Sequence, residues 1–138
     1  MSQTHRIAIL LPLTVGVVTV ICTVFIHALP LGATVNFIRR EQKLGHTGVG
    51  FWIDMGIVVR AIMYALVAHL IEIAWWAVLF MICGEFRDFR TAYYHSAVNY
   101  TSLGYGDVIM SPSWKLLGPL ETANGMPVST AILPWRVI

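Results

Sequence analysis

The chain has 138 residues, of which 57% are hydrophobic and only 12% charged, with a formal net charge of +2. Soluble domains carry about 25% charged residues, so this composition indicates a membrane protein whose surroundings are the lipid bilayer. The small net charge argues against a nucleic-acid partner, and the chain carries no basic tail.

The first apolar run covers residues 7–31 and contains no charged residue. It is long enough to cross a hydrocarbon core of about 30 Å. His5 and Arg6 precede it, which is compatible with a cleaved signal peptide, but the run is longer than the apolar part of such a peptide. We therefore expect a retained N-terminal transmembrane helix that ends near Pro30 and, with a connector, makes up residues 1–50.

A polar connector is predicted over residues 36–50, where four charged residues cluster: Arg39, Arg40, Glu41 and Lys43. Basic residues in short loops stay on the cytoplasmic side of a membrane. The N-terminus is then expected outside, the C-terminus in the cytoplasm, and the chain as a multi-pass protein of the cell (inner) membrane.

A second helix is predicted over residues 51–83, with Phe51 and Trp52 at headgroup level. It carries two ionisable residues at membrane depth, His69 and Glu72, which are three apart and share a face. Such groups are normally paired and are candidates for function. They are either a hydrogen-bonded pair that faces a neighbouring helix or half of a metal site. Since the other histidines, His27 among them, are expected at different depths, nothing in the sequence completes such a site.

A charged stretch then leads into a short helix predicted over residues 89–101, which is too short to span a bilayer. Non-helical backbone at membrane depth is tolerated where it lines a cavity, so a re-entrant helix fits this position. The negative C-terminal end of this helix would favour a cation beside it.

Residues 101–107 read Thr-Ser-Leu-Gly-Tyr-Gly-Asp. Glycine adopts positive φ without a Cβ penalty, so a Gly-x-Gly run can alternate backbone handedness and turn successive carbonyls the same way. Carbonyl rings of this kind replace the water shell of a small cation. The plainer interpretation is a tight glycine turn between two helices.

This run resembles the selectivity filter of the prokaryotic two-transmembrane pore-loop potassium channels, with Leu103 at the family's valine position. The resemblance covers roughly residues 58–138, and the extra N-terminal helix departs from the family. It implies a pore domain over residues 51–138 with a filter at 102–107, a homotetramer around one pore, K⁺ ions but no organic cofactor, and no enzymatic chemistry. It also implies K⁺ coordination by Thr101, Ser102, Leu103, Gly104, Tyr105 and Gly106, with the hydroxyl of the innermost site from Ser102.

The same resemblance points to three residues that support the filter. His95 stands where the family commonly has an aromatic residue, and we expect it to hydrogen-bond the Tyr105 hydroxyl and make the filter sensitive to pH. The alternative is a packed histidine with a local partner. Tyr94 is expected to reach Asp107 from behind.

An inner helix is predicted over residues 114–138. Gly125 resembles the family's hinge glycine, and Pro127 is expected to add a bend. Glu121 is expected either to anchor the short helix or to pair with His69 or Glu72.

The predicted fold is therefore all-α, with three transmembrane helices, a re-entrant pore helix and a filter loop in a tetrameric pore. The predicted function is passive, potassium-selective conduction. One alternative is a non-conducting or accessory membrane subunit that keeps the channel fold. A membrane metalloenzyme built on His69 and Glu72 is disfavoured because the histidines are scattered along the chain.

Overall fold

The computed structural model describes residues 3–46, 48 and 50–130, and all regular secondary structure within this part is helical. The helices are α1 (Gln3–Lys43), α2 (Phe51–Ile82), α3 (Phe89–Tyr100) and α4 (Leu117–Thr130). Two of them contain segments that are long and apolar enough to cross a membrane, Ile9–Lys43 and Phe51–Ile82.

Helix α1 continues well past its predicted end near Pro30 and includes much of the predicted connector. Backbone groups in an apolar medium must be satisfied within the helix, which favours continuing through a proline. Helix α1 ends just before Gly45, whose φ of 70° places it in the left-handed region. The amide of His46 bonds the carbonyl of Glu41 at 3.1 Å, which is the pairing of a Schellman end. The connector is therefore shorter than predicted and occupies residues 44–50.

Helices α2 and α3 begin at the predicted residues and each ends one residue earlier than predicted. A second Schellman end closes α2, with Gly84 at φ 79° and the amide of Glu85 bonded to the carbonyl of Phe80 at 3.0 Å. Asp88 caps the start of α3, because its Oδ1 accepts the amide of Thr91 at 3.0 Å. The hydrogen bonds from the Thr91 side chain and backbone hold the pKa of the Asp88 carboxyl below its usual range.

Helix α4 begins at Leu117, three residues later than predicted, because residues 111–116 form turns. Pro119 lies in the first turn of α4, where its missing amide proton has no helical partner in any case. Pro127 is within α4, but its side chain lies outside the described residues. The predicted continuation of this helix over residues 131–138 also lies outside them.

The chain divides into two compact units, one made of Met1–Thr23 and Ile73–Ile138 and the other of Val24–Glu72. The core of the first unit contains three large apolar side chains with no exposed surface, Trp76 and Phe80 from α2 and Leu117 from α4. Tyr100 at the end of α3 belongs to the same cluster. Helices α3 and α4 therefore share a core with the last turns of α2.

The long helices expose large apolar side chains along much of their length. Phe25, Leu29 and Trp52 are 69%, 77% and 83% exposed. Contiguous apolar surface of this kind is unfavourable in water and marks a membrane or protein interaction surface. It matches the transmembrane role predicted for α1 and α2.

Candidate functional site: the loop that follows α3

The loop that follows α3 alternates the handedness of its backbone. Ser102, Gly104 and Gly106 have φ values of 62°, 56° and 69°, whereas Leu103 and Tyr105 between them do not have positive φ. Ser102 is the only non-glycine residue at positive φ in the described part of the chain. This alternation is the backbone pattern that can turn successive carbonyls toward one side.

The loop starts as the C-terminal cap of α3. The amide of Leu103 bonds the carbonyl of Val98 at 2.9 Å, and the amide of Gly104 bonds the same oxygen at 3.2 Å. Ser102 thus occupies the left-handed position that glycine holds at the ends of α1 and α2. The Thr101 hydroxyl donates to the Ala97 carbonyl at 2.6 Å and so is turned back onto the helix. Hydrogen bonds thus run continuously from the last turn of α3 into the start of the loop.

His95 does not bond Tyr105 as predicted, because both of its ring nitrogens have other partners. Its Nδ1 lies 2.9 Å from the carbonyl oxygen of Val108, and its Nε2 lies 2.9 Å from Nδ2 of Asn99. A carbonyl only accepts, so Nδ1 carries the proton, and Nε2 accepts from the Asn99 amide. The Tyr105 side chain is 66% exposed. His95 is therefore a packed histidine with local partners, which was the alternative prediction for this residue.

The aromatic surroundings of His95 explain its position. Its ring lies 5.4 Å from the Phe80 ring at 74° and 5.0 Å from the Phe86 ring at 49°. These contacts bury the imidazole to 6% exposure. His95 therefore ties the end of the loop, through Val108, to the core beside α2.

The Tyr94 hydroxyl donates to Oδ2 of Asp107 at 2.7 Å. This is the contact that the sequence led us to expect between these two residues. Because Tyr94 is on α3 and Asp107 ends the loop, the hydrogen bond fixes the far end of the loop to the helix that precedes it.

Helix α4 holds α3 through a buried polar contact. Glu121, which has no exposed surface, meets the Ser96 hydroxyl through Oε1, and the same hydroxyl lies 2.9 Å from the Ile73 carbonyl. A serine hydroxyl has one proton to donate. Both contacts are satisfied when Ser96 donates to the carbonyl and a protonated Glu121 donates to Ser96. Glu121 therefore anchors the short helix α3, which is the first of the two roles predicted for it.

Two further contacts set the distance between α3 and α4. The Thr122 hydroxyl donates to the Asn99 carbonyl at 2.9 Å. At Gly125, an added Cβ would overlap the carbonyl oxygen of Tyr100 and lie 3.3 Å from its ring atom Cδ1. Gly125 therefore permits a close approach of the two helices, a role distinct from the predicted hinge.

Glu85 joins the two ends of the segment formed by α3 and the loop, a pairing that no local sequence pattern indicates. Its Oε2 accepts the Ser111 amide and its Oε1 accepts the Ser111 hydroxyl, each at 2.6 Å. Charge-assisted pairs of this kind are stronger than neutral hydrogen bonds. Glu85 precedes α3 and Ser111 follows the loop, so the contact closes the segment that contains both.

An open cavity of about 690 Å³ lies beside the loop. Its lining includes Asn99, Asp107 and Met110 on one side and Gly118 and Met126 of α4 on the other. The remaining predicted residues, His69 and Glu72, are not part of this site. They lie in the Val24–Glu72 unit.

Comparison with known proteins gave one match. A family model described as "Ion channel" matches residues 51–134, which is more than half of the chain. The match begins at the first residue of α2 and contains the whole loop described above. No curated protein and no solved structure matches the chain.

Proposed function

Since the chain belongs to the ion channel family, we propose that it forms a potassium-selective pore whose ion ligands are carbonyl oxygens of residues 101–106. Family membership and the two apolar helices identify a membrane protein with a transport function rather than an enzyme. Selectivity for K⁺ is the step beyond the family.

The observation that carries the proposal is the alternation of positive φ at Ser102, Gly104 and Gly106. A backbone of alternating hand supports a stack of carbonyl rings, and such rings replace the hydration shell of K⁺. The C-terminal end of α3 adjoins the loop and contributes a negative partial charge to the same region. Multi-ion occupancy then keeps ion exit fast, because neighbouring cations repel one another.

One loop supplies only part of such a ring, so the proposal includes a homotetramer. The exposure of the loop supports this, because Leu103 and Tyr105 are 58% and 66% exposed in the single chain. The cavity beside the loop offers surface for a neighbouring copy. Closed cyclic symmetry is the ordinary way for identical chains to surround one axis.

The proposed orientation has the connector in the cytoplasm and the N-terminus outside. Arg40 and Lys43 occupy the last turn of α1, where cations also complement the helix dipole. Charged-reagent labelling of cysteines introduced at residues 44 and 111 from either side of sealed vesicles tests this. The proposal expects labelling of residue 44 only from the cytoplasmic side.

The test of conduction compares two glycine variants in liposomes. Gly104→Ala and Gly45→Ala both place alanine at positive φ, 56° and 70°, and at both sites an added Cβ meets nothing within 4 Å. Each substitution costs about 1–2 kcal/mol of backbone energy. We expect Gly104→Ala to lower K⁺ flux about tenfold or more and Gly45→Ala to leave it near wild type, with Na⁺ flux low in all three.

Two results would contradict the proposal. Equal K⁺ flux in wild type and Gly104→Ala would remove the loop from the conduction path. No flux through a correctly assembled wild type would favour the alternative, a non-conducting or accessory subunit that keeps the channel fold.

A further inference from the structure

The Val24–Glu72 unit brings together three side chains that are common metal ligands. His27 comes from α1, and His69 and Glu72 come from α2. One ligand atom from each residue lies within 4.8 Å of the other two. Nδ1 of His27 is 3.3 Å from Oε1 of Glu72, and Nδ1 of His69 is 3.7 Å from Oε2 of the same carboxylate.

The meeting of these residues corrects the expectation that His27 lies at a different depth from His69 and Glu72. His69 and Glu72 share a face of α2 because they are three residues apart. His27 lies on α1, and its ring centroid is 5.6 Å from that of His69, with the two ring planes at 34°. Two helices of one chain thus supply all three ligands.

The separations suit a tetrahedral ion. With ligand bonds of about 2.0–2.2 Å, the donor atoms of a tetrahedral Zn²⁺ site lie about 3.3–3.6 Å apart. The distance from His27 Nδ1 to Glu72 Oε1 is within that range, and the distance from His69 Nδ1 to Oε2, the other oxygen of the same carboxylate, exceeds it by about 0.1 Å. One ligand atom from each of the three residues lies within 4.8 Å of the others, so side-chain rotation must bring them closer for all three to bind one ion. Two imidazoles and one carboxylate form a donor set that Zn²⁺ uses in proteins, with the fourth position left to water.

We propose that His27, His69 and Glu72 bind a divalent transition-metal ion, with Zn²⁺ the best match. Two histidines select such an ion over Mg²⁺ or Ca²⁺, which take mostly oxygen ligands. The His69 side chain is 23% exposed, which leaves the ion a route to the site.

Charge gives an independent reason for an ion at this position. The Glu72 side chain is 1% exposed and lies in a helix that is apolar enough to span a membrane. A carboxyl group in such surroundings is either protonated or accompanied by a compensating positive charge, and the two imidazoles beside Glu72 favour the charged form. A divalent ion with two neutral imidazoles provides that positive charge. The competing source is a protonated histidine, which would make the cluster an ordinary ion pair with no metal.

A bound ion would fasten α1 to α2 within this unit. His69 and Glu72 lie inside the segment that matches the ion channel family, and His27 lies outside it. The site would thus join the additional N-terminal helix to the channel segment.

The experiment measures metal binding directly and does not depend on conduction. The full chain is purified in detergent, stripped with a chelator and titrated with Zn²⁺ against a chromophoric competitor, and with Co²⁺ to record its visible spectrum. The ligand variants are His27→Asn, His69→Asn and Glu72→Gln. The matched control is His46→Asn, which alters an exposed histidine whose Nδ1 is 2.9 Å from Oε2 of Glu41.

We expect one Zn²⁺ per chain and an intense Co²⁺ spectrum of the four-coordinate type in wild type and in His46→Asn. Each ligand variant should bind Zn²⁺ at least about 100-fold more weakly, since loss of even an outer partner of a metal ligand costs 10–100-fold. Affinity in the wild type should fall with falling pH, because protons compete for the imidazoles.

Either of two results overturns the proposal. One is that the wild type shows only the weak spectrum of hydrated Co²⁺. This result would leave an ion pair as the explanation for the cluster, and it requires no variant. The other is Zn²⁺ affinity that is unchanged in Glu72→Gln with helix content and oligomeric state intact. Absence of K⁺ flux would contradict the proposed function and leave the metal site untouched.

Discussion

Replacing Gly125 by alanine tests how closely α4 must approach the end of α3. The new Cβ would overlap the Tyr100 carbonyl oxygen and lie 3.1 Å from the carbonyl carbon. Both atoms are backbone, so no side-chain rotation relieves the contact and one helix must move. Overpacking of this kind costs about 1–3 kcal/mol, occasionally more, and the better helix propensity of alanine returns about 1 kcal/mol. Because the contact is with two backbone atoms, we expect a cost at the upper end of that range and a net loss of about 2 kcal/mol.

Gly118→Ala is the matched control on the same helix. Its Cβ would lie 3.5 Å from Asn99 Nδ2 and from Met110 Cε, which is ordinary van der Waals contact. Gly118 is in the first turn of α4, where helix propensity matters little. We therefore expect the unfolding free energy of Gly118→Ala to stay within about 0.5 kcal/mol of wild type. The two alanine variants should then differ by about 2 kcal/mol, or about 30-fold in the unfolding equilibrium.

The assay is unfolding in mixed micelles by titration with a denaturing detergent, followed by tryptophan fluorescence, with K⁺ flux measured in parallel. Trp76, one of five tryptophans, is fully buried in the core that α3 and α4 share, so unfolding of this core changes its surroundings. If Gly125 were a hinge with no role in packing, Gly125→Ala would change gating without lowering the free energy of unfolding. Equal stability of Gly125→Ala and Gly118→Ala would therefore refute the close-approach reasoning.

Three further predictions concern the short helix and its loop. Tyr94→Phe removes the hydrogen bond that holds Asp107, so we expect shorter open times in single-channel recordings; unchanged open times would contradict this. In Asp88→Asn, the melting temperature should depend less on pH under acidic conditions than it does in wild type. Because the pKa of Asp88 is lowered in the folded state, the charged Asp88 stabilises the fold above about pH 4, and this stabilisation is lost as the pH falls through the lowered pKa. Thermal unfolding of wild type and Asp88→Asn, measured from about pH 3 to 5, tests this. Ser102→Val should be less stable than Ser102→Gly by about 1 kcal/mol or more in the detergent titration, because a β-branched residue is strained at φ 62°; equal stability would argue against a left-handed Ser102.

The helices that hold the loop could be predicted from local signals. The start of α2 follows a glycine-rich connector, and the start of α3 follows Asp88, a residue type that favours helix caps. Apolar content and the spacing of charged residues were enough to find both helices, because each is determined mainly by its own sequence.

Features that depend on contacts between distant residues could not be predicted. His95 has two partners, Val108 and Asn99, that only the folded loop brings to it. His27 meets Glu72 across 45 positions in the chain, and no helical spacing relates them. Ser102 adopts a conformation that sequence reasoning reserves for glycine, because the cap hydrogen bonds of α3 hold it there.

The hydrogen bonds between Glu85 and Ser111 have a mechanical consequence. Glu85 comes directly after Gly84, the residue that ends α2, and Ser111 comes after the loop, so the carboxylate connects the two without passing through α3. Coupling between distant parts of a protein travels through contacts of this kind. A displacement of the C-terminal end of α2 would therefore be transmitted through the Glu85–Ser111 contact to the end of the segment that contains the loop, while the hydrogen bonds around Ser102 hold the start of the loop to α3. The loop is thus attached to α3 at its start and, through Ser111, to the end of α2 just beyond its own end.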